Sequence, residues 1–364
     1  MSRARTESSR YSGLDGLRGI GALCVILVHV WLFEYADDGK PAKNAVDLVI
    51  GELRLALPMF FVLSAFLLVL PWQRAAAGER GAPDVLTYFK RRAGRILPGY
   101  WLALAGSVAV LWGSGNRLLP PLDHLPLFAL FAQNQDPDSL GRLNPPMWTI
   151  GVEVSFYLVL PVIGWLILRS RASRGTQVAG CAVLVLVAIA FNGWAYETGA
   201  PRTLTTSLLS QAPYFALGIA AAAIARGRRV SGWWAVGGLA LVAADAAWHI
   251  TTDAAVEHWL TDVPAGIGFA MLVAAAPTAL DVAPLRFLGR ISYGLYLWHF
   301  PVIAWLRIND SWPAEGLLIA YLAVLLPTAA IASLSWYCVE RPAVAWSHRQ
   351  RGARESVSPR AVKA

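Results

Sequence analysis

The stretch Arg18-Gly19-Ile20-Gly21-Ala22-Leu23-Cys24-Val25-Ile26-Leu27-Val28-His29 is an apolar run held between two ionisable residues. It reads as the body of a membrane-spanning helix over residues 18–36. At about 100° per residue, eleven steps return Arg18 and His29 to nearly the same face, about 16 Å apart along the axis. An ionisable side chain inside such a helix is costly and marks a functional site by default. Histidine also takes up and releases a proton near neutral pH. A cation near one membrane surface, in line with a base deep inside, suits a site that receives a long anionic ligand from one side.

Working outward, the rest of the chain is of the same kind. Of 364 residues, 56% are hydrophobic and only 15% charged, which excludes an ordinary soluble domain. Ten segments are apolar enough to read as spans: 18–36, 54–72, 96–114, 148–168, 176–194, 207–226, 231–248, 262–280, 289–307 and 315–339. The third and ninth are the shortest or most polar. Trp31, Trp72, Trp101, Trp148, Trp248, Trp312 and Trp346 fall near the ends of runs, where indoles meet the membrane–water interface. An even number of spans puts both termini on one side. With that side cytoplasmic, the inner segments hold 24 of the 31 basic residues and 7 of the 23 acidic ones. This is the positive-inside pattern. The net charge of +8 therefore reports orientation, not a nucleic-acid surface. The basic N-terminus followed by an apolar run resembles a signal peptide. Its length, His29 and the nine later spans read as a retained first helix. Cys24, Cys181 and Cys338 lie in apolar segments without metal-ligand spacing and read as small buried side chains.

The expected architecture is all-α: a polytopic membrane protein of about ten transmembrane helices with both termini cytoplasmic. Residues 1–345 form one transmembrane domain, and 346–364 a basic, disordered cytoplasmic tail. The longest loops are 37–53, 73–95 and 115–147. No internal repeat is visible, although an inverted one would have favoured a transporter.

Four constellations carry candidate chemistry. The first is Asp15, Arg18 and His29, although Asp15 is equally explained as a helix-start acid and Arg18 as a topogenic anchor. The second is the loop from Tyr88 to Trp101, in which Arg92 and Arg95 are three apart and would present two guanidiniums to phosphate on one turn. In the third, Trp148 to Tyr157, Glu153 lies in the first turns of the fourth span with no lysine or arginine within four residues. The fourth runs from Ile291 to Pro301. There Tyr293, Tyr296 and His299 recur every third residue, and Pro301 loosens the helix. His124, His249, His258 and His348 fall in loops or at helix ends and read as solvated. No metal site is expected.

These blocks together resemble the membrane acyltransferase-3 family, which acylates sugars, lipids and antibiotics. The resemblance is carried by Leu14-Asp15-Gly16-Leu17-Arg18-Gly19 with His29, by Phe60 to Phe66, and by Arg92 and Arg95 before Pro98 and Tyr100. It continues in Trp148 to Tyr157, Ser292 to Pro301 and Glu340-Arg341-Pro342. Departures are mild: Thr149 stands where the family often has Ser, and Ala65 where it often has Gly. The resemblance implies a ten-helix core that uses cytoplasmic acyl-CoA. It implies His29 as catalytic base, Arg18 as its upstream basic partner, Arg92 and Arg95 as donor contacts, and Glu153 as the acidic position of the fourth span. Some members carry an appended soluble esterase-like domain. This sequence has none, so transfer is expected to finish in the membrane core or on a separate protein.

The expected function is transfer of a short acyl group, acetyl by default, from acyl-CoA to a hydroxyl of a sugar, glycolipid or glycosylated natural product at the plasma membrane. Acyl-CoA is the co-substrate, and no permanently bound cofactor is expected. The expected partners are the acceptor and membrane lipid, with no nucleic acid. Asp15, Tyr293 and His299 are supporting residues, the last two as hydrogen-bond donors to the developing oxyanion. The acidic outer loops suit a neutral or cationic acceptor better than an anionic polymer. A proton-coupled transporter and an inert scaffold are the competing classes.

Overall fold

A computed structural model describes residues 11, 13–34, 44–228, 230–252 and 258–349. Among these residues the chain is all-helical. Ten helices of 14 residues or more follow one another: α1 (Gly13–Glu34), α2 (Ala56–Ala76), α3 (Val85–Leu111), α4 (Trp148–Ser170) and α5 (Arg174–Glu197), then α6 (Ala212–Ala225), α7 (Trp233–Thr252), α8 (His258–Ala275), α9 (Ala283–Ile308) and α10 (Leu317–Ser335). Each overlaps one apolar segment of the sequence. Six stretches are long and apolar enough to cross a membrane: Gly13–Glu34, Ala45–Ala76, Val85–Leu111, Pro145–Ser170, Arg174–Glu197 and Leu317–Arg349. Ala212–Ala225 and Asp262–Ala275 are apolar but shorter. The peripheral helices α5, α7 and α10 turn Leu186, Leu239 and Leu326 outward, as lipid-facing helices do.

Glycines set the two tightest crossings. Gly13, Gly16 and Gly19 recur every third residue on α1. A Cβ on Gly13 would lie 2.1 Å from the Pro277 carbonyl oxygen, and one on Gly16 would lie 2.3 Å from that of Leu280. Across the contact, a Cβ on Gly289 of α9 would lie 2.0 Å from the Asp15 carbonyl oxygen. Backbone meets backbone here, the small-residue packing available where no hydrophobic force drives helices together. α2 and α6 cross in the same way, with Gly218 against the Val62 carbonyl.

Three segments depart from the sequence reading. The loop expected over 73–95 shrinks to residues 77–84: α2 continues to Ala76, α3 begins at Val85, and Arg92 and Arg95 lie within its first turns. The Asp84 side chain caps that helix, accepting from the Thr87 amide at 2.7 Å. Charged residues lower a hydropathy window without breaking a helix, so the apolar run begins later than the helix does. For the same reason the third and ninth segments, read as the shortest or most polar, become α3 and α9, of 27 and 26 residues. The loop expected over 37–53 holds a helix at Ala45–Glu52, and its residues 37–43 lie outside the described set. The domain boundary drawn after residue 345 falls inside the helix Arg341–Arg349, and residues 350–364 of the expected tail lie outside the described set. Cys338, expected to be buried, is exposed.

The connection 115–147 is ordered by buried amides. Gln133 donates to the Met147 carbonyl at 3.1 Å, and Asn134 to that of Trp148 at 2.7 Å. Asn144 donates to the Leu297 carbonyl at 3.0 Å, tying the start of α4 to α9. These bonds position the candidate site.

Candidate active site

α1 and α9 run in parallel and in register. Gly19 packs on Gly289, and ten residues further along each helix His29 meets His299, with ring centroids 4.9 Å apart. His29 Nδ1 lies 2.8 Å from the Val25 carbonyl oxygen, and His299 Nδ1 lies 3.2 Å from that of Leu295. A carbonyl only accepts, so each Nδ1 carries the proton and each Nε2 is left with a lone pair. His29 is half-buried, whereas His299 is fully buried with an unpartnered Nε2. His29 is therefore the accessible base of the pair. Tyr296 packs on His299 at 5.8 Å between centroids. Its hydroxyl lies 2.6 Å from both Thr149 Oγ1 and the Pro146 carbonyl oxygen.

One turn of α9 earlier, Tyr293 faces the arginines. Arg95 Nη1 lies 3.4 Å from Glu340 Oε2, and its guanidinium stands 5.6 Å from the Tyr293 ring centroid and 5.1 Å from that of Trp336. Glu340 is completely buried and also accepts from the Ser335 hydroxyl at 2.9 Å. It closes the π-helical turn Trp336–Glu340, a helical defect that frequently marks functional sites. Arg18 and Arg92 are close enough to Arg95 to act on it electrostatically. Three guanidiniums thus lie near one another with one of them paired to a carboxylate, and the Arg18 Nε is buried without a hydrogen-bond partner. A cluster with two uncompensated cations is suited to phosphate.

Glu153 accepts from the Ser64 hydroxyl at 2.7 Å and from the Tyr157 hydroxyl on its own helix. Tyr157 also feels the charge of Arg92, and its carbonyl accepts from the Tyr88 hydroxyl at 3.2 Å. Among the described residues Glu153 makes no hydrogen bond to His29. Asp15 enters the arrangement through its backbone, at the Gly289 crossing.

The residues singled out in the sequence thus fall into three neighbouring groups. Arg18, Arg92 and Arg95 gather on α1 and α3, His29 and His299 pair further along α1 and on α9, and Glu153 joins Ser64 and Tyr157. The oxyanion roles of Tyr293 and His299 do not fit this geometry. The Tyr293 hydroxyl donates to the Ile96 carbonyl at 3.0 Å, and the His299 Nδ1 proton is committed to Leu295. The sequence reading gave no role to Glu340, although it stood in a quoted block as a carboxylate closing an apolar run. Ser64 and Tyr157 carried no separate signal, because hydroxyls are common in membrane helices.

His249 is a second correction. It is not solvated: its side chain is 5% exposed, and Nδ1 lies 3.0 Å from Glu52 Oε2. Arg54 donates to both oxygens of Asp262, at 3.0 and 2.8 Å, and to Glu52 at 3.2 Å. Asp245, His249 and Asp262 have ligand atoms within 4.8 Å of one another. With Arg54 already on both Asp262 oxygens, the group is an ionic cluster and not an open metal site.

The family model for an acyltransferase domain matches residues 11–337, nearly all of the described chain. The chain belongs to the acyltransferase-3 family. Among the relatives of this acyltransferase-3 member is a putative peptidoglycan O-acetyltransferase of Bacillus subtilis (strain 168), 26% identical over 93% of this chain and 56% of its own length. Nodulation protein 10 of Rhizobium leguminosarum bv. viciae is 26% identical over 93% of this chain and 94% of its own length. An acyltransferase of Streptomyces mycarofaciens is 24% identical over 96% of both chains. The chain spans little more than half of the first of these and nearly all of the other two. No solved structure matches it.

Proposed function

We propose that this protein is an integral-membrane O-acyltransferase that moves a short acyl group, acetyl by default, from acyl-CoA to a hydroxyl of a carbohydrate-type acceptor. The observation that carries the reading is the His29 tautomer. Nδ1–H is bonded to Val25, the basic Nε2 is free, and the same helix reaches the arginine cluster about 16 Å away. The CoA phosphates bind Arg18 and Arg92. Arg95, shared with Glu340, holds the cluster in place and adds its charge. The pantetheine arm then extends along α1 and α9 toward the histidines, and ten crossings with cytoplasmic termini put the phosphates on the cytoplasmic side. Relatives named as peptidoglycan and O-acetyltransferase proteins support a carbohydrate acceptor.

In the reaction, His29 Nε2 takes the acceptor hydroxyl proton as the oxygen attacks the thioester carbonyl carbon. The C–O bond forms, the C–S bond breaks, and the CoA thiolate leaves with the proton returned by His29. General-base catalysis of this kind contributes about 10²–10⁴-fold. Glu153, with Ser64 and Tyr157, supplies a fixed negative charge and ordered hydroxyls beside the path of the donor.

The test is acyl transfer by purified protein in liposomes. His29→Ala should lower kcat by about 10²–10⁴-fold without changing the melting temperature. Arg92→Ala should mainly raise the KM for acyl-CoA. Near-normal turnover by His29→Ala would remove the base, and an unchanged donor KM would remove Arg92 from the donor site.

A further inference from the structure

The bundle holds a cavity of about 370 Å³ that the mechanism above does not use. Its size is within the range of small-molecule sites. It lies at the far end of α2 from the cationic groups. Arg54, Leu57 and Pro58 line it, whereas Gln73, whose carbonyl accepts from Arg226, closes the other end of the helix about 22 Å away.

We propose that this cavity is the acceptor subsite and that it takes an uncharged or cationic sugar ring. The inference rests on the acyltransferase reading for its purpose, but not for its chemistry. Trp148, Tyr196 and Tyr214 supply flat aromatic faces, the surfaces against which the C–H faces of a sugar pack. Asn192, Gln211 and Ser210 supply amides and hydroxyls for its hydroxyl groups. The Asn192 Nδ2 already donates to the Ser210 carbonyl at 3.0 Å, while its Oδ1 is buried without a partner. A buried acceptor left unpaired is costly, and a ligand hydroxyl would satisfy it.

Charge sets the selectivity. Arg54 and Asp262 form part of the wall, and Arg54 is held by Glu52 and lies 3.1 Å from His249 Nδ1. Asp245 stands in the same cluster, and its Oδ2 is buried without a hydrogen-bond partner. Glu52, Asp245 and Asp262 outnumber Arg54 in the cluster that backs this wall, which disfavours a phosphate or uronate. A bare apolar ligand would leave the Asn192 Oδ1 unpaired.

The cavity also connects to the base through packed side chains. Trp148 and Pro58 are wall residues. Next along α4, Thr149 meets the Tyr296 hydroxyl, and two residues along α2, Phe60 packs on the Tyr296 ring at 6.4 Å. Tyr296 packs on His299, and His299 on His29. A chain of packed side chains through Tyr296 and His299 therefore links the sugar subsite to His29.

The experiment uses the full chain in nanodiscs and two readouts. Saturation-transfer NMR measures binding of N-acetylglucosamine, methyl glucoside and glucuronate to the wild type and to His29→Ala. Turnover measures acetyl transfer from acetyl-CoA to the same sugars. Neutral sugars should bind both proteins equally, and glucuronate at least tenfold more weakly. Asn192→Ala and Tyr196→Ala should each weaken neutral-sugar binding, and raise any acceptor KM, at least tenfold, with the acetyl-CoA KM unchanged. Tyr196 is 52% exposed, so its removal leaves packing intact. Absence of neutral-sugar binding, or binding unchanged in both variants, overturns the subsite. Sugar binding that depends on these residues in a protein that transfers no acetyl group keeps the subsite and overturns the acyltransferase reading. Transfer with an unaltered acceptor KM in both variants does the reverse.

Discussion

At the scale of single residues, the informative groups are those whose protons are already committed. His29 and His299 look equivalent in sequence, yet His29 is half-buried whereas His299 is fully buried with its Nε2 unpartnered. Glu340 shows the opposite pattern, a carboxylate wholly buried and satisfied by Arg95 and Ser335. Removing one partner of such a pair strands the other charge, at about 3–5 kcal/mol. Glu340→Ala should therefore lower the melting temperature in detergent and weaken acyl-CoA binding. Glu340→Leu combined with Arg95→Met should recover most of the stability but not the donor affinity. Recovery of both by the double variant would make Arg95 purely structural. Ser64→Ala leaves Glu153 one hydrogen bond short, worth about 1.5–3 kcal/mol for a charged acceptor, and should be read by the same melt.

At the scale of elements, the α1–α9 crossing decides whether the site exists. A valine at Gly289 would drive its side chain into the Asp15 carbonyl, separating the two helices and their histidines. Gly289→Val should lose both stability and turnover. Gly180→Ala on α5, where nothing lies within 4 Å, should change neither beyond about 1 kcal/mol. The connection 115–147 carries its own pH dependence. The Asp136 carboxyl is held below the usual range, first by the Ser139 hydroxyl at 2.5 Å and then by the charge of His124. A depressed carboxylate stabilises the folded loop above the unfolded pKa of about 3.9 and loses that contribution as pH falls through the folded value. Pepsin cleavage within 115–147 should therefore rise only below about pH 4, and Ser139→Ala should move the onset upward.

At the scale of the whole molecule, the bundle has two unlike ends. One gathers Arg18, Arg92 and Arg95, and the other holds the cavity beside Arg54 and Asp262. On the positive-inside reading of the sequence, the first end is expected to face the cytoplasm. With the native cysteines replaced, Arg228→Cys should react with an impermeant maleimide only after lysis, and Glu315→Cys on intact cells. The reverse labelling would invert the donor and acceptor sides together.

The sequence by itself determined the helices, because hydrophobic runs of this length have no other solution in a bilayer, where backbone groups must bond within the segment. It also carried the polarity of the molecule, since charge asymmetry is a sum over residues and needs no coordinates. His29, Arg18, Arg92, Arg95 and Glu153 were legible because an ionisable group in an apolar run stands out against its neighbours. What such a pattern does not encode is partnership. That Arg95 belongs to Glu340, Glu153 to Ser64 and Tyr157, and His249 to an ionic cluster with Arg54 depends on helices far apart in the chain. Those pairings depend on how helices pack, as where Gly99 admits the Glu340 side chain, and leave no mark in hydropathy. The tertiary structure alone therefore decided which histidine nitrogens are bonded and where a cavity lies.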